Sequence, residues 1–272
     1  MTQTSDVLDY ELIGDDLQAV IVTLDPGETV IAEAGAMMFM DQGIEMNTTL
    51  DPNRQGGGML NKLFSGAKRV LSGDTFFITT FANGATSRRS VAFSSHFPGK
   101  IKPVDLREWG GTVIAQKDAF LCAPRGTSID IAFTRRIGAG FFGGEGFILQ
   151  RISGDGVAVL HASGALWEKT LAAGEVLRVD TGCIVAMEQR VGYDIQMVPG
   201  IKTALFGGEG LFFATLTGPG RIMLQTMPFS RLADRIIAAS PRAGGRQMQE
   251  GGMLGGVVLG SVLGGVLGRR DG

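Results

Sequence analysis

Two nearly identical strings, FFGGEGFIL at Phe141–Leu149 and LFGGEGLFF at Leu205–Phe213, begin 64 residues apart. A chain that echoes itself at this spacing folds one small unit more than once, because the period is too long for a solenoid rung. The echo continues downstream, where ISGDGVAVLHASG (Ile152–Gly164) parallels LTGPGRIMLQTM (Leu216–Met227). A fainter copy lies earlier, in VLSGDTFFITTF (Val70–Phe81) followed by SVAFSSHFPGKI (Ser90–Ile101). Gly99, Ile101 and Leu106 then match Gly164, Leu166 and Leu171, and His161 matches Ser95 and Gln225. A second string recurs three times: PGETVIAEAGAMMFM from Pro26, GGTVIAQKDAFLCA from Gly110 and AGEVLRVDTGCIVAM from Ala173.

Three units follow, at about 10–106, 107–171 and 172–227, together forming a β-rich body over 1–227. Each alternates short apolar runs with G-G, G-D-G or P-G turns, which is strand and hairpin chemistry. The 42 glycines in 272 residues are about twice the usual share, and only nine prolines accompany them. That balance favours many tight turns in an all-β fold, with each unit a sandwich or closed barrel. Three such units would pack about a pseudo-threefold axis.

GEVLRVDTGCIVAMEQRVGYDIQ, the GGEG-aromatic turns and GGGMLNKLFSGAKRVLSGDTFFITTF resemble the AIM-type family (altered inheritance of mitochondria) over about Tyr10 to Met227. The resemblance implies a fold similar to the tryptophan RNA-binding attenuation protein, a short double-stranded β-helix present in three copies. It also implies a link to membrane organisation, and it supplies no particular reaction.

The residues themselves give little support to catalysis. His96 and His161 are the only histidines, in different units and without an H-x-H pair, so no metal ligand set is legible and no cofactor is expected. A G-x-S-x-G motif is missing as well. Cys122 and Cys183 sit alone in apolar runs and read as small core residues. Asp74, Glu145 and Glu209 mark the repeat turns. They read as exposed corners of tight turns, the other reading being a shared cation or contact site near the axis.

The appended segments carry more functional signal. Met59–Leu71, inside an insertion near 56–72, sets an apolar helical stripe beside Lys62, Lys68 and Arg69. The equivalent places in the other units hold Arg135 and Arg136, and Lys202. Such basic–apolar segments either pack on the core as connectors or contact an anionic membrane or a protein partner. Residues 228–240 read as an amphipathic helix capped by Ser230, with its apolar stripe covering a sheet edge or another subunit.

A linker then leads into a glycine-rich apolar tail within 241–272, where Gly251–Gly268 is an uncharged run of 18 residues. Gly252, Gly256, Gly260, Gly264 and Gly268 have the spacing of close helix contacts in lipid. Membrane association, self-association into a homo-oligomer and disorder all remain open for it. The net charge of −2 gives no reason to expect nucleic acid, and the acidic N-terminus lacks a secretory signal. The expectation is therefore a cytoplasmic, non-enzymatic scaffold, membrane-associated through its tail, with a small-ligand or metal-binding module as the alternative.

Overall fold

The computed structural model describes residues 5–49, 78–135, 147–197 and 212–239. The short apolar runs separated by glycine turns fold as antiparallel strands, as their alternation dictates. The first segment holds β1 (Asp9–Ile13), β2 (Ala19–Leu24), β3 (Thr29–Glu33), β4 (Met37–Met40) and β5 (Ile44–Thr49). Next come β6 (Ile78–Asn83), β7 (Arg89–Ser94), β8 (Gly99–Asp105), β9 (Thr112–Gln116), β10 (Phe120–Pro124) and β11 (Ser128–Arg135). The third segment has β12 (Phe147–Ser153), β13 (Val157–Ser163), β14 (Leu166–Leu171), β15 (Val176–Asp180), β16 (Ile184–Glu188) and β17 (Gly192–Met197). The last contains β18 (Phe212–Thr217), β19 (Gly220–Gln225) and a helix, α1 (Phe229–Ala239).

These strands make four sheets, and their ladders are antiparallel. Two sheets have six strands, in the orders β5-β6-β3-β10-β13-β8 and β11-β12-β9-β16-β19-β14. Adding six to every strand number of the first gives the second. The others are β1-β2-β7-β4 and β15-β18-β17, with β4 and β15 each at an edge.

Register repeats along with order. Phe93 faces Met37, Leu160 faces Phe120 and Leu224 faces Ile184, and in each ladder the next rung skips one residue as a bulge. The following residues, Ser94, His161 and Gln225, therefore occupy matching places. This corrects the match of His161 with Ser95 by one residue. The connection from β7 to β8 spans Ser95–Pro98, whereas β13 reaches β14 through Gly164 and Ala165 alone, and a visual alignment absorbs that difference.

Three apolar clusters form the core. One centres on Val20, Val22, Phe81 and Phe93, a second on Trp109, Phe120, Ile152 and Leu160, and a third on Phe147, Leu149, Met187 and Leu216. Phe81 and Phe93 meet edge to face with centroids 5.2 Å apart, an arrangement the ring quadrupoles favour. Cys122 is fully buried and Cys183 half-buried, both as free thiols, and burial pushes the Cys122 thiol far above its ordinary range. Helix α1 lies within the expected 228–240, but Ser230 does not precede its first turn. The Leu232 N–H donates to the Pro228 carbonyl (3.3 Å), so Ser230 lies inside the first turn and does not cap it.

Candidate functional site

A cavity of about 250 Å³ opens where β3, the β7–β8 connection, β13 and the start of α1 converge. Glu33, His96, Phe97, Asp118, His161 and Phe229 line it. His161 lies within β13, His96 and Phe97 in the β7–β8 connection, and Phe229 at the start of α1. Glu33 closes β3, and Asp118 sits in the single turn of 3₁₀ helix, Lys117–Ala119, joining β9 to β10. That turn is fixed by Gln116, whose Oε1 accepts from the Asp118 N–H and whose Nε2 donates to Asp118 Oδ2, both at 3.0 Å. Phe97 bridges the two sides. Its ring meets His161 edge to face at 4.6 Å and stacks on Phe229 at 5.4 Å.

Glu33 and His161 are both perturbed towards neutrality. Glu33 has its pKa pushed up to about 8, chiefly by desolvation and secondarily by the Asp118 carboxylate, with Lys117 opposing. Its side chain still keeps 35% of its surface exposed, and the His96 Nδ1 lies 3.9 Å from its Oε2. His161 is 3% exposed and is pushed down to about 4 by burial; the Phe97 backbone acts the other way without reversing it. Neither ring nitrogen of His161 has a hydrogen-bond partner of normal geometry. At neutral pH the site thus holds a protonated carboxyl and a neutral imidazole, both able to donate and accept hydrogen bonds.

His96 and His161 lie in separate units of the sequence, and the fold brings them to one cavity. Glu33, Asp118 and Phe97 were not singled out at all. Their only signal was Glu33 and Gln116 closing the two copies of T-V-I-A. Among the described residues, no group of three or more His, Cys, Asp or Glu side chains is placed to hold a metal ion.

Of the residues singled out in the sequence as contacts, Arg135 alone is among the described residues. Arg135 is the last residue of β11, opposite Phe147. Lys62, Lys68, Arg69, Arg136 and Lys202 lie outside the described residues, as do the turn acids Asp74, Glu145 and Glu209. So do the insertion near 56–72 and the tail with Gly252, Gly256, Gly260, Gly264 and Gly268. No helix among the described residues is long and apolar enough to cross a membrane.

Fold and cavity together define an all-β protein of repeated antiparallel sheets with a partly apolar, hydrogen-bonding recess. More particularly, the chain belongs to the Mitochondrial biogenesis AIM24 family, which residues 10–227 match, as the sequence resemblance led us to expect. A Streptococcus pyogenes serotype M6 protein, described as uncharacterised, is 25% identical over 215 residues, covering 79% of this chain and 83% of its own. The crystal structure of another Streptococcus pyogenes protein superposes with a TM-score of 0.66 at 20% identity, covering 85% of this chain and 99% of that one. Likeness at that identity establishes the shared fold alone.

Proposed function

We propose that this chain is a non-enzymatic interaction scaffold of three like units, each a short double-stranded β-helix similar to the tryptophan RNA-binding attenuation protein, set about a pseudo-threefold axis. The observation that carries it is the strand order repeated after six strands, with the bulges repeated in register. A body made of like units offers a rigid platform, and its appended segments make the contacts. Lys62, Lys68, Arg69, Arg135, Arg136 and Lys202 supply positive charge for an anionic membrane surface or an acidic partner, and the run Gly251–Gly268 supplies an apolar contact. Cosedimentation with anionic liposomes tests this. The full chain pelleting, and a chain ending before Gly251 pelleting less, is the expected result. Both remaining in the supernatant would refute the membrane contact.

A second reading is favoured by the His161 ring, whose nitrogens have no hydrogen-bond partner of normal geometry. Buried polar atoms generally find partners, and one facing a cavity is open to a ligand. The ligand chemistry that fits is a small neutral molecule with hydrogen-bonding groups and an apolar or aromatic face for Phe97 and Phe229. Native mass spectrometry of purified protein would show it as retained mass that His161→Phe abolishes. Each protein appearing only at its own bare-chain mass would count against this reading.

A further inference from the structure

The recess between β3, β13 and α1 is walled unevenly, and that unevenness specifies what it can hold. One wall is aromatic. Phe229 stacks on Phe97 yet keeps 51% of its surface exposed, which leaves aromatic surface for a further flat ring. His161 packs edge to face on the same Phe97 and adds a third ring to this wall.

The other wall is polar, and its two carboxyls differ. Asp118 is already engaged, with Gln116 Nε2 donating to its Oδ2 at 3.0 Å and Lys117 Nζ 3.9 Å from its Oδ1. Among the described residues nothing hydrogen-bonds the Glu33 carboxyl, and His96 Nδ1, 3.9 Å from Oε2, stands beyond bonding distance. Glu33 is therefore the carboxyl left for a ligand. In the proton-bearing form that desolvation favours up to about pH 8, it sets an O–H donor and a carbonyl acceptor side by side. His161, 3% exposed and without a partner of normal geometry, is a second polar group that a ligand can satisfy.

These walls select by charge, shape and size together. An anionic ligand meets the Asp118 carboxylate and brings no donor for the Glu33 carbonyl oxygen. A simple alcohol turns one hydroxyl to the recess and has no flat face for the aromatic wall. A flat ring with a donor and an acceptor adjacent on one edge satisfies both oxygens of Glu33 and lays its face on that wall. The cavity of about 250 Å³ is the liquid share of roughly eight waters, room for a molecule of one or two fused rings.

We propose that this recess binds a small planar heteroaromatic molecule whose bound edge carries a hydrogen-bond donor beside an acceptor, as in an aminopyrimidine. The inference rests on the small-ligand reading above and narrows it to one chemical class. The Glu33 O–H donates to the ring nitrogen, and the Glu33 carbonyl oxygen accepts from the exocyclic amine. His161 supplies a further hydrogen bond, while Phe97 and Phe229 take the face of the ring.

Saturation-transfer NMR titration of the full chain at pH 7 is the test, with 2-aminopyrimidine, pyrimidine, aniline and benzylamine as probes. The 2-aminopyrimidine should bind with a Kd on the order of 1 mM, a strength open to so small a ring. Pyrimidine lacks the amine and aniline the ring nitrogen, so each should bind at least about five-fold more weakly. Glu33→Gln keeps a donor beside an acceptor and should retain binding, whereas Glu33→Met, similar in size, should lose it. If Glu33→Met does not fold, the probe series and the glutamine variant decide. Raising the pH from 7 to 9 should weaken binding to the unmodified chain about ten-fold, as Glu33 gives up its O–H, and leave Glu33→Gln unchanged. His96, Lys117, Asp118 and His161 surround both side chains alike, so a fall that persists in Glu33→Gln would overturn the proposal. Tightest binding by benzylamine, a cation, would overturn it as well. Equal binding by all four probes, abolished in His161→Phe, would overturn it and leave the broader ligand reading standing. Absence of binding by any probe would also overturn it, while retained mass in the purified protein would still uphold that broader reading.

Discussion

Arg221 Nε lies 2.6 Å from Glu188 Oε1, and the same guanidinium stacks 4.5 Å over the Trp109 ring and donates to the Glu108 carbonyl. One side chain therefore ties β19 to β16 and to the turn that follows β8. Burial alone would raise the Glu188 carboxyl, but Arg221 and Arg190 outweigh it and hold the pKa below the usual range. Arg221→Ala leaves that carboxylate with Arg190 alone and uncovers Trp109. A loss of about 2–3 kcal/mol in urea unfolding is expected. Arg221→Lys should recover only part of it, because an ammonium cannot form the fork or stack in the same way. An alanine variant with the parent's midpoint and slope would contradict this account.

Glu33 makes stability fall as the solution becomes basic. Its folded pKa of about 8 exceeds the ordinary 4.5, so between these values the native state holds a proton the unfolded chain has lost. Stability from this group is full below about pH 4.5 and declines up to about pH 8. Glu33→Gln should remove the decline, with a gain of roughly 1–2 kcal/mol at pH 8, reduced by solvent screening of its exposed third. Parallel melting curves for both proteins across this range would refute the assignment.

His161 acts on the acid side. Its folded pKa of about 4 lies below the ordinary 6.5, so the unfolded chain takes up the proton first as pH falls. Stability is full above about pH 6.5 and is lost on the way to pH 4, by on the order of 2–3 kcal/mol. His161→Gln, the residue found at the matching position 225, should flatten that limb in thermal unfolding. A variant as acid-sensitive as the parent would place the titrating group elsewhere.

Two glycines should respond very differently to alanine. A Cβ on Gly99 would sit 1.9 Å from the Ala162 carbonyl oxygen and 2.9 Å from His161 Nε2, so the β8–β13 ladder must move. Gly27 has φ +86° and open space around its Cβ direction. Gly99→Ala is expected to cost more than about 3 kcal/mol or to prevent folding, and Gly27→Ala about 1 kcal/mol. Equal melting temperatures for the two variants would show that the contact at Gly99 is relieved elsewhere.

The sequence made the local structure legible because it is periodic. T-V-I-A appears twice and becomes β3 and β9, while Gly99 begins β8 and Leu106 directly follows it, and Gly164 precedes β14, which Leu171 ends. Convergence was not legible. Glu33 on β3, His161 on β13 and Asp118 in the turn leading into β10 become neighbours only when β10 pairs with both β3 and β13. No local pattern announces that juxtaposition. The exposure of β4 was equally hidden, since MMFM reads as core in isolation, and only the buried counterparts in β10 and β16 mark it as an edge left open.

Matching register places hold Ser94, His161 and Gln225, three side chains of different acidity and reach. A ring of identical polypeptides must show the same residue at every such place, so any change there is made everywhere at once. Covalent linkage of the copies lifts that constraint. Gln225 keeps a structural task, bonding the Ser163 N–H and the Gly182 carbonyl at 2.8 Å each, while His161 faces a cavity and its ring nitrogens have no hydrogen-bond partner of normal geometry. The two matching places thus carry different work, one holding strands together and the other lining a recess.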